Sequence, residues 1–309
     1  MDMLLEKVVL VELMISAWSG SARLTREDIQ VSEGQLPPKE IATVGSIKLI
    51  DQGETKAFGT LKRAAERAVQ KVGVPFMRGY VVSVDLMPEL ALELDQLKKK
   101  YEEETSILIG GYRAKVDTFI AAYPQWAEVM KKKCPREQYL RNQLRFDWLA
   151  AQVVRPDDRF SNQIRAGFDR ETASLGQRLM QEVAAEANDF YQRSVIGRKE
   201  EMTHKTVGAL RGILKKLESL SFLNSNAAPV AANLRQVLDS LPRTGSLSPE
   251  ETRLVSEVAI MLTSADKVVM AVQVQTQVQQ RKLDLEVKAI PQPSPPVETT
   301  APADSYSWL

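Results

Sequence analysis

Residues 7–28, KVVLVELMISAWSGSARLTRED, decide the fold. The run Val8 to Ile15 is apolar, rich in β-branched side chains and interrupted only by Glu12, which is the composition of a strand. It stops at Trp18-Ser19-Gly20, and Leu24-Thr25-Arg26-Glu27-Asp28 then reads as a polar helix start. A strand that ends this abruptly needs a sheet to lie in. Two further strands are expected nearby, Ser46 to Ile50 and Arg78 to Val84, each bounded by Gly, Pro or Asp. Between them, Phe58, Leu61, Ala65, Ala68 and Val72 recur at three- and four-residue steps within Glu54 to Val72. Gly73 stands at the stop, so this segment predicts an amphipathic helix. A three-stranded sheet with a helix on one face buries both apolar surfaces. The signals leave strand order open.

Outward from this unit the period changes. Leu90, Leu94, Leu97, Tyr101, Leu108, Tyr112, Val116, Phe119 and Tyr123 predict one long helix from Leu86 onward, about 50 Å at 1.5 Å per residue. Gly110-Gly111 is a candidate kink, and Pro124 a break. Cys134 to Phe160, with Phe146, Trp148, Val153 and Val154, reads as a packed turn or short helix. A second long pattern runs through Ile164, Phe168, Leu175, Leu179, Val183 and Phe190. It resumes at Val207, Leu210, Leu214 and Leu217 after the charged run Arg198 to Glu201. The two long patterns are expected to pair as an antiparallel, coiled-coil-like hairpin. A shorter helix follows at Pro229 to Leu241. Ser248-Pro249-Glu250-Glu251 then supplies an N-cap, a first-turn proline and a capping-box glutamate for a last helix through Leu254, Val258, Leu262, Val269 and Val272. That helix turns polar from Gln273 to Lys282. Pro291, Pro293, Pro295, Pro296 and Pro302 predict a disordered tail.

The expected class is therefore α+β, predominantly α. It divides into a small α+β unit at 1–85, an elongated helical domain at 86–288 and a Pro-rich tail at 289–309.

Composition bounds the function. Apolar residues make up 44% and charged residues 26% of the 309, so the chain can build a core. Forty-one basic against forty acidic side chains leave a net charge of +1, so any attraction for nucleic acid has to be local. The longest apolar run is far short of a membrane span, and no basic leader with a small-residue cleavage site opens the chain. A single cysteine, Cys134, cannot form an internal disulfide, and a cytoplasmic location is expected.

With one histidine, His204, and one cysteine, no Cys/His zinc set can be assembled, and a Cys134–His204 nucleophile pair is disfavoured by the charged surroundings of both. Neither a phosphate-binding Gly-x-x-x-x-Gly-Lys-Ser/Thr loop nor a Gly-x-Ser-x-Gly elbow is present. No catalytic residue, metal or cofactor is expected. In Arg155-Pro156-Asp157-Asp158-Arg159-Phe160, paired acids between arginines read chiefly as a polar turn before a helix, and otherwise as a cation site or an ion-pair network. Lys98-Lys99-Lys100 ahead of Glu102-Glu103-Glu104 reads as an i,i+4 ladder. Lys131, Lys132 and Lys133, with Arg136, Arg141 and Arg145, are the candidate phosphate contacts. Trp18 reads as a core anchor, with a partner contact as the alternative. Tyr306, Trp308 and Leu309 read as a solvated end, with a docking motif whose terminal carboxylate a pocket grips as the alternative.

The opening strand with its Trp-Ser-Gly turn is followed by Leu36-Pro37-Pro38, Val44-Gly45-Ser46, Ala64-Ala65-Glu66-Arg67 and Gly79-Tyr80-Val81-Val82. Then come Tyr112 to Pro124 and Trp126. In order and spacing these segments resemble the bacterial and phage domain of unknown function 3150 family (DUF3150), over about the first two-thirds of the chain. Members are typically encoded in bacteria, phages and integrative elements, near AAA+ ATPases of the MoxR or cobaltochelatase-subunit type and near von Willebrand A-like proteins. The resemblance implies a partner role and brings no catalytic residues with it. The expected function is a non-enzymatic assembly or adaptor protein of such a system, with homo-oligomerisation through the long helices an open possibility. A nucleic-acid-associated factor of a mobile element is the alternative.

Overall fold

The computed structural model describes residues 5–29, 43–197 and 201–264. Its centre is a four-stranded antiparallel sheet. Strand β1 (Val8–Ser16) is followed by a separate two-stranded ribbon, β2 (Ser21–Arg23) with β3 (Ser46–Lys48), and by helix α1 (Gly53–Val72). Strands β4 (Gly73–Phe76) and β5 (Gly79–Ser83) form a hairpin that leads into the long helix α2 (Met87–Ala121). Two short helices, α3 (Ala127–Lys133) and α4 (Glu137–Gln143), precede strand β6 (Arg145–Gln152). The sheet order is β4-β5-β1-β6.

The fourth strand is the main departure from the expected three-stranded sheet. Residues 134–160 do not form a packed turn or short helix alone. β6 pairs with all of β1 except Val8, from Val9 opposite Gln152 to Ser16 opposite Arg145. The expected strand at Ser46 to Ile50 belongs to the ribbon and lies outside this sheet.

Both faces of the sheet are covered, and the strands alternate accordingly. Val8, Val74, Phe76 and Val81 point into one core, and Val11, Val82 and Phe146 into another. The second core is closed by α1 and by the buried stripe Leu90, Leu94, Tyr101, Leu108, Tyr112 and Val116 of α2. The first is closed by α5 (Asn162–Ala173), α6 (Leu175–Phe190), α7 (Gly208–Ser219), α8 (Ala227–Ser240) and α9 (Pro249–Leu262), whose buried side chains run from Leu175 to Leu262. The result is three layers, with the sheet in the middle.

This arrangement corrects one expectation. The long patterns do not form a hairpin with each other, because α2 packs on α1 and β6 while α6 packs on β4, α7 and α9. Residues on both sides of position 85, from Val11 to Phe146, share the second core. Helix α2 runs through Gly110-Gly111 without a break and ends at Ala121, where Pro124–Trp126 forms a 3₁₀ turn. α6 passes into a π-helical turn at Tyr191–Ile196, and the pattern restarts only at Gly208. Lys98 reaches Asp147 of β6 at 3.2 Å instead of Glu102, so it ties α2 to the sheet edge. Ser248 and Glu251 form the expected capping box of α9. The expected continuation past Thr263, the polar segment and the tail, with Tyr306, Trp308 and Leu309, lie outside the described residues.

Candidate functional site

The ribbon β2–β3 stands at the end of α2 and is held there by the Trp-Ser-Gly turn. Gly20 and Gly45, at φ +72° and +92°, occupy the left-handed region that suits glycine, one at each mouth of the ribbon. Backbone bonds from Leu24 to Gly45 O (3.0 Å) and from Leu49 to Gly20 O (2.8 Å) extend the pairing. Trp18 is buried under it, edge-on to Tyr112 with ring centroids 5.9 Å apart. This is the core-anchor role, and the indole also reaches the floor of a groove.

Two grooves flank the ribbon. Along β3, a cleft of about 370 Å³ is walled by Ile47, Lys48, Phe119, Tyr123, Trp126 and Met130. Along β2, a wider one of about 660 Å³ is walled by Trp18, Ala22, Arg23, Lys133, Arg136 and Tyr139. Tyr123, Trp126 and Tyr139 are 45%, 41% and 54% exposed. The charged side chains that line the grooves among the described residues, Lys48, Arg23, Lys133 and Arg136, are all cationic, with no carboxylate beside them. Exposed aromatic rings with cations are the composition of an interaction hot spot.

The sequence singled out the basic residues of this face and Trp18, and missed Tyr123, Trp126 and Tyr139 as surface aromatics. Lys131 to Arg145 is not one basic helix, because Cys134 to Arg136 separates α3 from α4. Lys133 turns inward to Asp28 at 2.6 Å, and Lys132 lies 3.8 Å from the same carboxylate. Arg145 pairs with Asp147 on its own strand at 3.2 Å. Lys131, Arg136 and Arg141 are exposed and form no ion pair among the described residues. Tyr123 reads in the sequence as the last member of the helical stripe. Pro124 was the signal that could have corrected this, since it ends α2 at Ala121 and leaves both Tyr123 and Trp126 on the surface.

Asp28 is the keystone of this corner. Its Oδ2 accepts from the Thr25 amide (2.7 Å) and hydroxyl (2.6 Å). The Lys133 ammonium and these Thr25 bonds hold the carboxyl far below its usual range. Beside it, the Tyr112 hydroxyl donates to the Pro135 carbonyl at 2.9 Å. Burial pushes the half-buried Cys134 thiol up, away from thiolate chemistry. His204 lies against Arg211 of α7, with ring nitrogens 3.1 Å from the guanidinium.

The acidic turn after β6 resolves into an ion-pair network. Arg155 holds Asp169 through two bonds of 2.8 and 2.6 Å, Arg159 holds Asp157, and Arg165 holds Asp158. The cap of α5 is Ser161 and not either acid. Among the described residues, no group of three or more His, Cys, Asp or Glu is placed to hold a metal ion. No helix of the described residues is long and apolar enough to cross a membrane.

The model of a family described as proteins of unknown function, DUF3150, matches residues 5–264. The chain belongs to that family. The match takes in all three layers, including β6 and the bundle that the sequence resemblance reached least. No curated protein and no solved structure matches the chain.

Proposed function

We propose that this DUF3150 protein is a non-enzymatic assembly or adaptor component of a bacterial, phage or mobile-element system, and that it docks a AAA+ ATPase of the MoxR or cobaltochelatase-subunit type. One observation carries the reading. The ribbon end presents Tyr123, Trp126 and Tyr139 at the surface, between cations and, among the described residues, without a lining carboxylate. Such rings bring large contact area at low entropic cost, which is what a protein partner exploits. The ATPase itself, and a von Willebrand A-like third component, rest on the family resemblance. A tagged full-length chain should retain the ATPase in fixed ratio, and Tyr123→Ala with Trp126→Ala should release it while leaving the circular dichroism spectrum unchanged.

A second reading, binding of nucleic acid through phosphates, is favoured by exposed Lys131, Arg136 and Arg141, with Arg136 sharing a groove with the exposed ring of Tyr139. DNA retention that falls steeply with salt, and is lost in Lys131→Glu with Arg136→Glu, supports it over the adaptor.

A further inference from the structure

The central sheet has two edges, and they are finished differently. Beside β1, the Val84 amide donates to the Lys7 carbonyl at 3.0 Å, so the odd-numbered residues of β1 aim their backbone groups at β5 and the even-numbered ones at β6. Carried through the pairing register, the same alternation turns Gly73 and Pro75 of β4 outward on one edge. On the other it turns Phe146, Trp148, Ala150 and Gln152 of β6 outward. The β4 edge is closed, because Pro75 has no N–H and its carbonyl accepts from Arg178 of α6 at 3.3 Å. The β6 edge is not. The chain around it is described without interruption from residue 43 to 197. Among the described residues its outward backbone groups have one partner, the Asp147 carboxylate, which accepts from the Trp148 amide at 3.1 Å. We propose that β6 pairs antiparallel with β6 of a second copy of this chain, joining the two sheets into one across a two-fold axis at Leu149.

The register singles out a second copy as the occupant. Outward residues must face outward residues, so the two strands can shift only in steps of two. Centring on Leu149 sets Phe146 opposite Gln152 and Trp148 opposite Ala150, and this register alone pairs all four outward residues within the strand. Two bonds per pair give about eight backbone hydrogen bonds, within the range of a specific interface. The side chains are self-complementary as well. Trp148 and Asp147 each lie opposite an alanine, and neither Arg145 nor Asp147 meets a like charge. Asp147 gives up the Trp148 amide but keeps Lys98 and Arg145, each at 3.2 Å. On one face, exposed Leu149 meets its own copy at the axis. On the other, Asp95 accepts from the Trp148 indole at 3.0 Å, which places exposed Leu92, one turn earlier on the same side of α2, beside the seam. Pairing thus covers leucines on both faces that the single chain leaves in water, and closes the symmetric contact in a dimer.

The dimer needs none of Tyr123, Trp126 or Tyr139, so the adaptor reading and this one fail separately. Sedimentation velocity on the purified full-length chain should show a monomer–dimer equilibrium across the micromolar range. Leu149→Lys sets two ammonium groups together at the axis and should raise the dissociation constant at least about tenfold, with the circular dichroism spectrum unchanged. Ala150→Pro, which removes an amide that β1 does not use, should do the same. Register is read by oxidative cross-linking in a Cys134→Ser background. Leu149→Cys should link to its own copy, at a Cα separation of about 4.5 Å, at least about tenfold faster than Ala151→Cys, whose copies stand about 14 Å apart along the strands. A chain that stays monomeric, a dimer that neither Leu149→Lys nor Ala150→Pro weakens, or links no faster at position 149 than at 151 would overturn the proposal.

Discussion

Lys133 and Asp28 meet at 2.6 Å across the corner where the ribbon folds onto α3. This one contact takes a lysine out of the basic cluster and uses it to anchor the segment that follows β2. Lys131, Arg136 and Arg141 are the exposed cations of the cluster that form no ion pair among the described residues.

The first prediction concerns that anchor. Asp28 has a folded-state pKa below its ordinary 3.8, so its contribution to stability is complete above that value and is lost as pH falls toward the folded pKa. Asp28→Asn should lower Tm by a constant amount from pH 5 to 8, and the gap to the unmodified chain should narrow below pH 4. A gap that widens toward acid would contradict the contact.

Lys216 is fully buried and donates to Glu186, which burial holds above its ordinary range. The two partners differ in access to water, since the Glu186 side chain is 32% exposed. Glu186→Gln leaves an ammonium enclosed without its counter-charge and should cost about 3 kcal/mol in denaturant unfolding. Lys216→Met leaves a carboxylate that can reach solvent and should cost clearly less. Equal losses would mean that the two ends are solvated alike.

Tyr101 sits between Phe58 and Phe146 and donates its hydroxyl to the Ser16 carbonyl at 2.5 Å, fastening α2 to the end of β1. Burial pushes its pKa up to about 12 and also raises that of Tyr112. Both raised values mean stability that is complete below pH 10 and lost as pH rises through the folded pKa. Absorbance titration should show two of the seven tyrosines ionising only with alkaline unfolding. Tyr101→Phe should cost about 1–3 kcal/mol through the stranded carbonyl.

Two helical glycines should respond oppositely. A Cβ at Gly176 meets the Leu223 carbonyl oxygen at 2.2 Å, whereas one at Gly110 meets nothing within 4 Å. Gly176→Ala should destabilise by about 1–3 kcal/mol, by forcing α6 away from the turn before α8. Gly110→Ala should stabilise α2 by about 0.5–1 kcal/mol, read as a higher midpoint in urea.

Local patterns carried most of the elements and little of their assembly. β1, α1, α2 and the start of α9 stand in the sequence because a single stripe, cap or run marks each of them. β6 escaped because Arg145 and Asp147 alternate with Phe146 and Trp148, a period of two hidden inside a charged segment. The stripe of α2 shows that one face is covered without showing by what, and α1 and β6 proved to be the cover in place of the helices after residue 162. Val8 and Val11, buried on opposite faces of one strand, were the sign that the sheet has two covered sides. The candidate site was half legible. Its cations form runs in the chain, while its apolar wall is assembled from Phe119, Tyr123, Trp126 and Met130 with a strand some seventy residues earlier.

The central claim, that this face recruits a protein partner, is tested most directly by purifying the tagged full-length chain from its host after nuclease treatment and moderate salt. The unmodified chain and the Tyr123→Ala, Trp126→Ala variant would be compared by mass spectrometry. A AAA+ ATPase retained in fixed ratio by the first and lost from the second is the predicted result. A chain that comes away alone, partners that vanish with nuclease, or an ATPase held equally by both would contradict it.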